Sequence, residues 1–276
     1  MKVSHSPTTH QLQSVARTVR QLVLDMVTQS KSAHLGSSFS VVDILVALYF
    51  NAMRVFLKNP KHPNRDRLLL SKGHAGAALY AVLGVREFFN VKLLKKYLRN
   101  GTALAGHASQ AAVPGVELFT GSLGHGLPIG TGMAFAGKLD KKSYRVFVVM
   151  SDGECDEGSN WEAILFAGHH QLDNLVAVVD YNKWQSFGRT KDILDLEPFA
   201  KKWRDFGWNV KECNGHDFKA LTKAFAKIPF AKGKPSVLIA HTVKGRGLPY
   251  ENELRSHYNS PTEEEYRLAK ERIKHL

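Results

Sequence analysis

The sequence is short of cysteine, of long apolar runs and of acidic side chains. Cys155 and Cys213 are the only thiols in 276 residues. Two thiols make no disulfide framework, and the expectation is a reduced, cytoplasmic chain. No stretch of 18 consecutive apolar residues occurs, so no membrane-spanning segment is expected. The start, MKVSHSPTTHQLQSV, has no basic segment running into an apolar core and does not read as a secretory leader. No repeat, low-complexity tract or Pro-rich linker divides the chain. One domain over 1–276, with a helical tail at about 262–276, is the economical reading. Acidic residues number 25 against 38 Lys and Arg, which leaves a net charge of +13. The cations are spread through 59–67, 137–145, 200–204 and the C-terminal helix. Spread charge fits a solvated basic face, an acidic protein partner or attraction of phosphorylated substrates better than it fits nucleic acid, which is not expected as a partner.

What is present is a clear alternation of apolar patterns. Leu12, Val15, Val19, Leu22, Val23, Met26 and Val27 recur at three- and four-residue steps and predict a helix over 11–29. A Ser/Gly-rich break follows at 30–40, and a second helix is expected through VVDILVALYF with Ser40 as its N-cap. RLLLSKGH (67–74) reads as a short buried strand running into a loop, with a helix from about Ala75. The runs 144–150, 174–180 and 235–242 are rich in β-branched residues and fit strands buried on both faces. Helical patterns lie between them at 157–170 and 217–228. The fold class expected is therefore α/β, a parallel β-sheet flanked by helices.

In such sheets ligands bind beyond the carboxyl ends of the strands, and the unusual residues of this chain fall there. SKGH, SDGECDEG, DYNKWQSFG and HTVKGRG each follow an apolar run. Asp152 and Asn182 stand 30 residues apart, each just past a strand, with one helix between them. A carboxylate and an amide oxygen are hard ligands suited to Mg²⁺ or Ca²⁺, which is commonly completed by substrate phosphates. The same two residues would also serve as a helix cap and a turn former. TGSLGHGLPIGTGMAFAG (120–137) has six glycines but not the spacing of a P-loop. It reads as a loop of close approach leading into a small-residue helix that packs tightly on something. Thirteen histidines are present, but neither HExxH nor paired Cys/His spacing, so zinc is not expected. His34, His74, His107, His125, His241 and His257 lie in loops beside small or polar residues. Any one alone reads as a hydrogen-bonded or exposed side chain, while several at the expected crevice suggest donors to phosphate and hydroxyl oxygens and proton carriers near neutral pH.

Taken together these segments resemble the thiamine-diphosphate enzymes of the transketolase family, in their N-terminal, diphosphate-binding domain. The family's GDG…N signature is represented by SDG at 151–153 and DYN at 180–182, with Ser151 in the place of the first Gly. LSKGHA (70–75), AGH (105–107), PGVELFTGSLGHG (114–126), EGSNWEA (157–163) and HTVKGRG (241–247) extend the resemblance over about residues 10–260. The resemblance implies thiamine diphosphate and Mg²⁺ or Ca²⁺ as cofactors, with Asp152, Asn182 and the main-chain oxygen of Trp184 as metal ligands. It implies cofactor contacts from His74, Gly124, His125, Gly126, Gly153, Glu154, Asn182 and His241, and it places His34, His74, His107 and His257 around the reacting carbon. LGHG stands where the family more often has LGQG, and Ser-His-Tyr where it has Trp-His-Gly. Glu157 and Glu162 match acidic residues at the family's subunit interface.

Thiamine chemistry also needs a Glu on the aminopyrimidine ring, which the family carries in a separate pyrimidine-binding domain. The expectation is thus the N-terminal subunit of a split transketolase. It would move a two-carbon ketol unit between a ketose (phosphate) and an aldose (phosphate), and it would be active only with a pyrimidine-domain subunit, as a heterotetramer. The alternatives are a subunit of a deoxyxylulose-phosphate-synthase-like enzyme and a non-catalytic regulatory homologue. The EGSNWEA and AGH segments and His34 favour transfer from a hydroxylated donor.

Overall fold

A computed structural model describes residues 7–110 and 112–276. Residues 1–6, the start of the stretch read above for a leader, lie outside the described residues. In chain order the principal elements are α1 Thr9–Ser30, α2 Leu35–Ala47, β1 Arg67–Leu70, α3 Gly76–Val85, α4 Gly126–Leu139, β2 Val146–Ser151, α5 Gly158–His169, β3 Leu175–Tyr181, α6 Thr190–Ile193, α7 Phe199–Asp205, β4 Asn209–Asn214, α8 Phe218–Phe225, β5 Ser236–His241, α9 Arg255–Tyr258 and α10 Glu263–Lys274. The five strands form one sheet in the order β1-β2-β3-β5-β4, and every pairing is parallel.

Strand side chains alternate between faces, so each central strand feeds two cores. Phe147, Val149, Val176, Val178, Leu238 and Ala240 pack with residues of α1, α2, α3, α8 and α10. Val146, Val148, Met150, Ala177, Val179, Val237 and Ile239 pack with residues of α4, α5 and α7. β2 and β3 are buried along their whole length, which is why they read as continuous apolar runs. β4 escapes that reading. It is an edge strand, half exposed, with only Val210 and Cys213 as apolar residues.

Two further differences concern α2. The helix begins at Leu35, inside the stretch read as a break, and Ser40 lies within it. The Ser40 hydroxyl donates to the Ser37 carbonyl, 3.1 Å away, and to Asp180 at 2.6 Å. The small residues are there for close approach: a Cβ on Gly36 would lie 2.3 Å from Ser256 Oγ. The segment Leu35–Ala52 is also long and apolar enough, by length and mean hydropathy, to cross a membrane. It is 83% buried inside the protein, as a core helix is, and its polar residues Ser40 and Asp43 have internal partners.

The small-residue helix expected after 120–126 is α4, and its partner is the sheet. A Cβ on Gly130 would lie 2.5 Å from a Val148 methyl. Gly124 takes φ +81°, and a Cβ on Gly126 would meet Ser71 Oγ at 2.2 Å. Gly126 lets the turn lie directly on the end of β1, and Gly124 lets it lie against Glu157 and Ser159 at the start of α5.

Candidate active site

The carboxyl ends of β1, β2, β3 and β5 open on one cavity of about 160 Å³, lined by His34, Lys72, His74, His107, Lys244 and His257 and floored by Ser151, Gly153, Glu154, Asn182 and Trp184. A hollow of about 670 Å³ lies elsewhere at Lys58, Arg65 and Glu117. Size does not choose between them. In the larger hollow the Arg65 guanidinium is paired with Glu117, whereas the smaller one gathers four histidines and Lys244, which forms no ion pair among the described residues.

Four histidines converge there from distant parts of the chain. The His34 ring centre lies 4.7 Å from that of His257, 5.3 Å from His74 and 5.7 Å from His107. His34 is held at φ +70° as the first residue before α2, a conformation that costs a non-glycine residue about 1 kcal/mol. Its N–H donates to the His257 carbonyl at 2.8 Å, so the two rings are fixed as a pair. Burial, and then the charges of neighbouring His and Lys side chains, push His34 down to about 4 and His257 down to about 3. Burial lowers His74 and His107 as well. At neutral pH these are uncharged imidazoles, each able to donate and accept one hydrogen bond. The Nδ1 atoms of His34 and His257 are buried and have no hydrogen-bond partner among the described residues.

Two lysines, unremarked in the sequence, supply the charge. Lys72, in the loop after β1, is fully buried and paired with Asp180 at the end of β3. Asp180 also accepts from Ser40 and from the Thr242 hydroxyl. Lys244 is 1% exposed and, among the described residues, forms no ion pair. Burial, and then Lys72, lowers its ammonium to about 8. Both lysines follow a strand end by two or three residues in a Gly-containing loop. The strand-end rule that drew attention to the histidines applies to them equally.

The cluster of acids after β2 separates by environment. Asp152 is fully buried; burial, and then the charge of Asp180, raises it to about 7. One of its oxygens accepts from the Lys183 N–H at 2.7 Å, and the other has no partner among the described residues. Glu154 lines the cavity, but its carboxylate is engaged by the Ser71 hydroxyl, the Gly124 N–H and the Ser151 N–H. It ties three loops together and has little left to offer a cofactor. Asp156 accepts from the Gln185 amide at 2.9 Å, and Glu157 is exposed just before α5.

Asn182 follows β3 in the strand paired with β2, in the register Ser151↔Asp180. Its side-chain oxygen accepts from the Trp184 N–H at 3.1 Å. The Trp184 carbonyl accepts no hydrogen bond among the described residues. An orphaned carboxylate oxygen, an amide oxygen and a free carbonyl form a hard donor set for a divalent cation. A buried carboxylate that feels Lys72 and Lys244 but forms no ion pair among the described residues is the group such a cation would stabilise. Four expected cofactor contacts do not line the cavity: Gly124 and Gly126, which are buried, and His125 and His241, which are exposed. His125 is exposed at the start of α4, because Gly124 and Gly126 face inward and turn it out. His241 is exposed on the edge side, with its Nε2 3.0 Å from Glu212 on β4.

Fold and site together define a parallel α/β domain of the diphosphate-binding kind, with its crevice at the strand ends. Residues 11–275 match the family described as transketolase, thiamine diphosphate binding domain. The chain belongs to the transketolase family and is similar to proteins named as single subunits of such enzymes. It is 42% identical to the 6-deoxy-6-sulfo-D-fructose transketolase subunit SqwG of Clostridium sp. (strain MSTE9), over 94% of both chains. It is 40% identical to an apulose-4-phosphate transketolase subunit of Phocaeicola vulgatus, over 93% of both. Transketolase from Campylobacter jejuni superposes with a TM-score of 0.91 at 31% identity, covering 97% of this chain and 43% of that one. The chain thus spans less than half the length of the solved transketolases it matches, and nearly all of its subunit-sized relatives.

Proposed function

We propose that this protein is the diphosphate-binding subunit of a two-component transketolase, a cytoplasmic α₂β₂ enzyme whose other subunit carries the pyrimidine-binding domain. The observation that carries the reading is the meeting of four neutral histidines, two buried lysines and Asn182 around one cavity, with Asp152 buried between its lining residues Ser151 and Gly153. Thiamine diphosphate, when bound, supplies the reactive carbon and the electron sink for breaking and remaking a C–C bond. Asp152, Asn182 and the Trp184 carbonyl would hold Mg²⁺ or Ca²⁺ against the diphosphate. Lys72, Lys244 and the Gly153 backbone would face its oxygens; a Cβ on Gly153 would meet Gln185 Cβ at 2.7 Å. His34, His74, His107 and His257 would bind the hydroxyls of an open-chain sugar and carry its protons. Imidazoles that stay neutral at pH 7 can accept a proton from a sugar hydroxyl, which imidazolium cannot.

The subunit-sized relatives are named for a sulfonated and a phosphorylated sugar, which supports an anionic sugar as substrate here. Mixing this protein with the pyrimidine-domain subunit, thiamine diphosphate and Mg²⁺ should give ketol transfer from xylulose 5-phosphate or another anionic ketose, while either protein alone gives none. In the mixture, Asp152→Ala should weaken cofactor binding by more than about tenfold. A confirmed complex that transfers no ketol unit among a panel of phosphorylated and sulfonated sugars would falsify the assignment.

A further inference from the structure

We propose that His216, which lines no part of the cavity, is a positioning residue that holds Lys244 in place. The proposal rests on reading the cavity as the diphosphate site. His216 sits in the turn between β4 and α8, where Gly215 brings the backbone onto the end of β5; a Cβ there would lie 2.5 Å from the Thr242 methyl. Its Nδ1 lies 2.7 Å from Asp43 Oδ2. Its Nε2 accepts the Val243 N–H at 2.9 Å. A ring nitrogen that accepts cannot carry the proton, so the proton is on Nδ1 and is donated to Asp43.

Asp43 is held as an anion. Burial works against its charge, but Arg20 and His216 outweigh burial and bring it down to about 2. Arg20, 2% exposed, grips both of its oxygens at 2.8 and 2.7 Å. The chain of contacts therefore runs Arg20 on α1, Asp43 on α2, His216 before α8, and the Val243 N–H after β5. It ends one residue from Lys244. Thr242 is tied to Asp180 and the Gly245 N–H to the Gly36 carbonyl at 2.9 Å. The Lys244 carbonyl accepts the Asn252 N–H at 2.7 Å, and His216 adds a tie at the Val243 N–H, between Thr242 and Lys244. A lysine that meets its anion without an ion-pair partner has nothing in its own side chain to aim it, so its backbone must be fixed from outside.

The site demands one group that donates to a carboxylate on one side and accepts a backbone N–H on the other. Lysine and arginine cannot accept, and aspartate and glutamate would repel Asp43. Glutamine can do both, whereas asparagine is too short to span the gap.

The test is calorimetric titration of thiamine diphosphate, with Mg²⁺, into the assembled two-subunit enzyme, with thermal unfolding run beside it. His216→Leu is expected to weaken binding about tenfold, the size seen for outer partners of a ligand site, and His216→Gln to restore most of it. His216→Asn, which keeps a polar side chain, serves in place of leucine should that variant not fold. In a Lys244→Met background the same His216 change should cost less than about twofold, because coupled positions are non-additive. A folded His216→Leu or His216→Asn enzyme with wild-type affinity overturns the proposal. So does an equal loss with and without Lys244, which would mark a general structural role. If Lys244→Met itself binds the cofactor normally, the diphosphate reading fails and this proposal falls with it. If Lys244→Met loses affinity and the His216 variants do not, only the positioning role fails.

Discussion

At the scale of residues, the cavity owes its properties to desolvation. His34 and His257 sit near 4 and 3 in the folded chain, against about 6.5 in an unfolded one. Between those values the unfolded chain binds more protons, so the stability of the free protein should fall as pH drops below about 6.5 and level off near the folded values. Denaturant unfolding from pH 7 to pH 4 reads that slope. Imidazole NMR signals from His34 and His257 should titrate below pH 5; titration of either near 6.5 would show an open, hydrated site. The Lys72–Asp180 pair is the other desolvated feature, at 0% exposure on both sides. Removing one partner of such a pair leaves a buried charge alone and costs about 3–5 kcal/mol. Lys72→Met should show a loss of that size in chemical denaturation, and a loss under about 1 kcal/mol would mean that water reaches Asp180. Asp152 and Asn182 were visible in the sequence because each follows an apolar run directly. Lys72 and Lys244 were visible only as two lysines among many, since burial is what sets them apart.

At the scale of elements, the parallel sheet was legible because its inner strands are buried on both faces and carry β-branched runs. β4 was not, because an edge strand needs only one apolar face. The start of α2 was hidden for a different reason. Ser37, Ser38, Gly36 and Ser40 look like loop residues, yet they are small so that the helix can approach the 242–257 segment and Asp180. The glycines of α4 mark a similar approach, this time to β2. Gly130→Ala would place a methyl 2.5 Å from a Val148 methyl, and overpacking of that kind costs about 1–3 kcal/mol. Thermal unfolding should show it, with Gly132→Ala as a control. A Cβ on Gly132 meets nothing within 4 Å, so that variant should be neutral or slightly stabilising, as alanine is the better helix former.

At the scale of the whole molecule, the outer face of α4 and α5 is unusually apolar. Leu165 is 57% exposed and Phe166 41%, with Glu162 exposed beside them, and Phe187 near the cavity mouth is 77% exposed. The proposed assembly would bury such a face. Sedimentation of this protein with its pyrimidine-domain partner should give a four-chain complex. Leu165→Glu should weaken that complex more than about tenfold while leaving the isolated chain's unfolding unchanged, the behaviour of an interface anchor rather than a core residue. A complex that forms equally well in the variant places the interface elsewhere.

Periodicity and strand-end position are local properties, and they were enough to set out the parallel α/β fold, the crevice at the strand ends and the spacing of Asp152 from Asn182. Which groups meet without partners was settled by packing. Lys72 finds Asp180 across 108 residues, Glu154 is claimed by Ser71 and Gly124, His257 turns in toward His34, and His125 and His241 turn out. No local pattern carries that information, because desolvation and hydrogen-bond satisfaction depend on every chain segment that packs against a group.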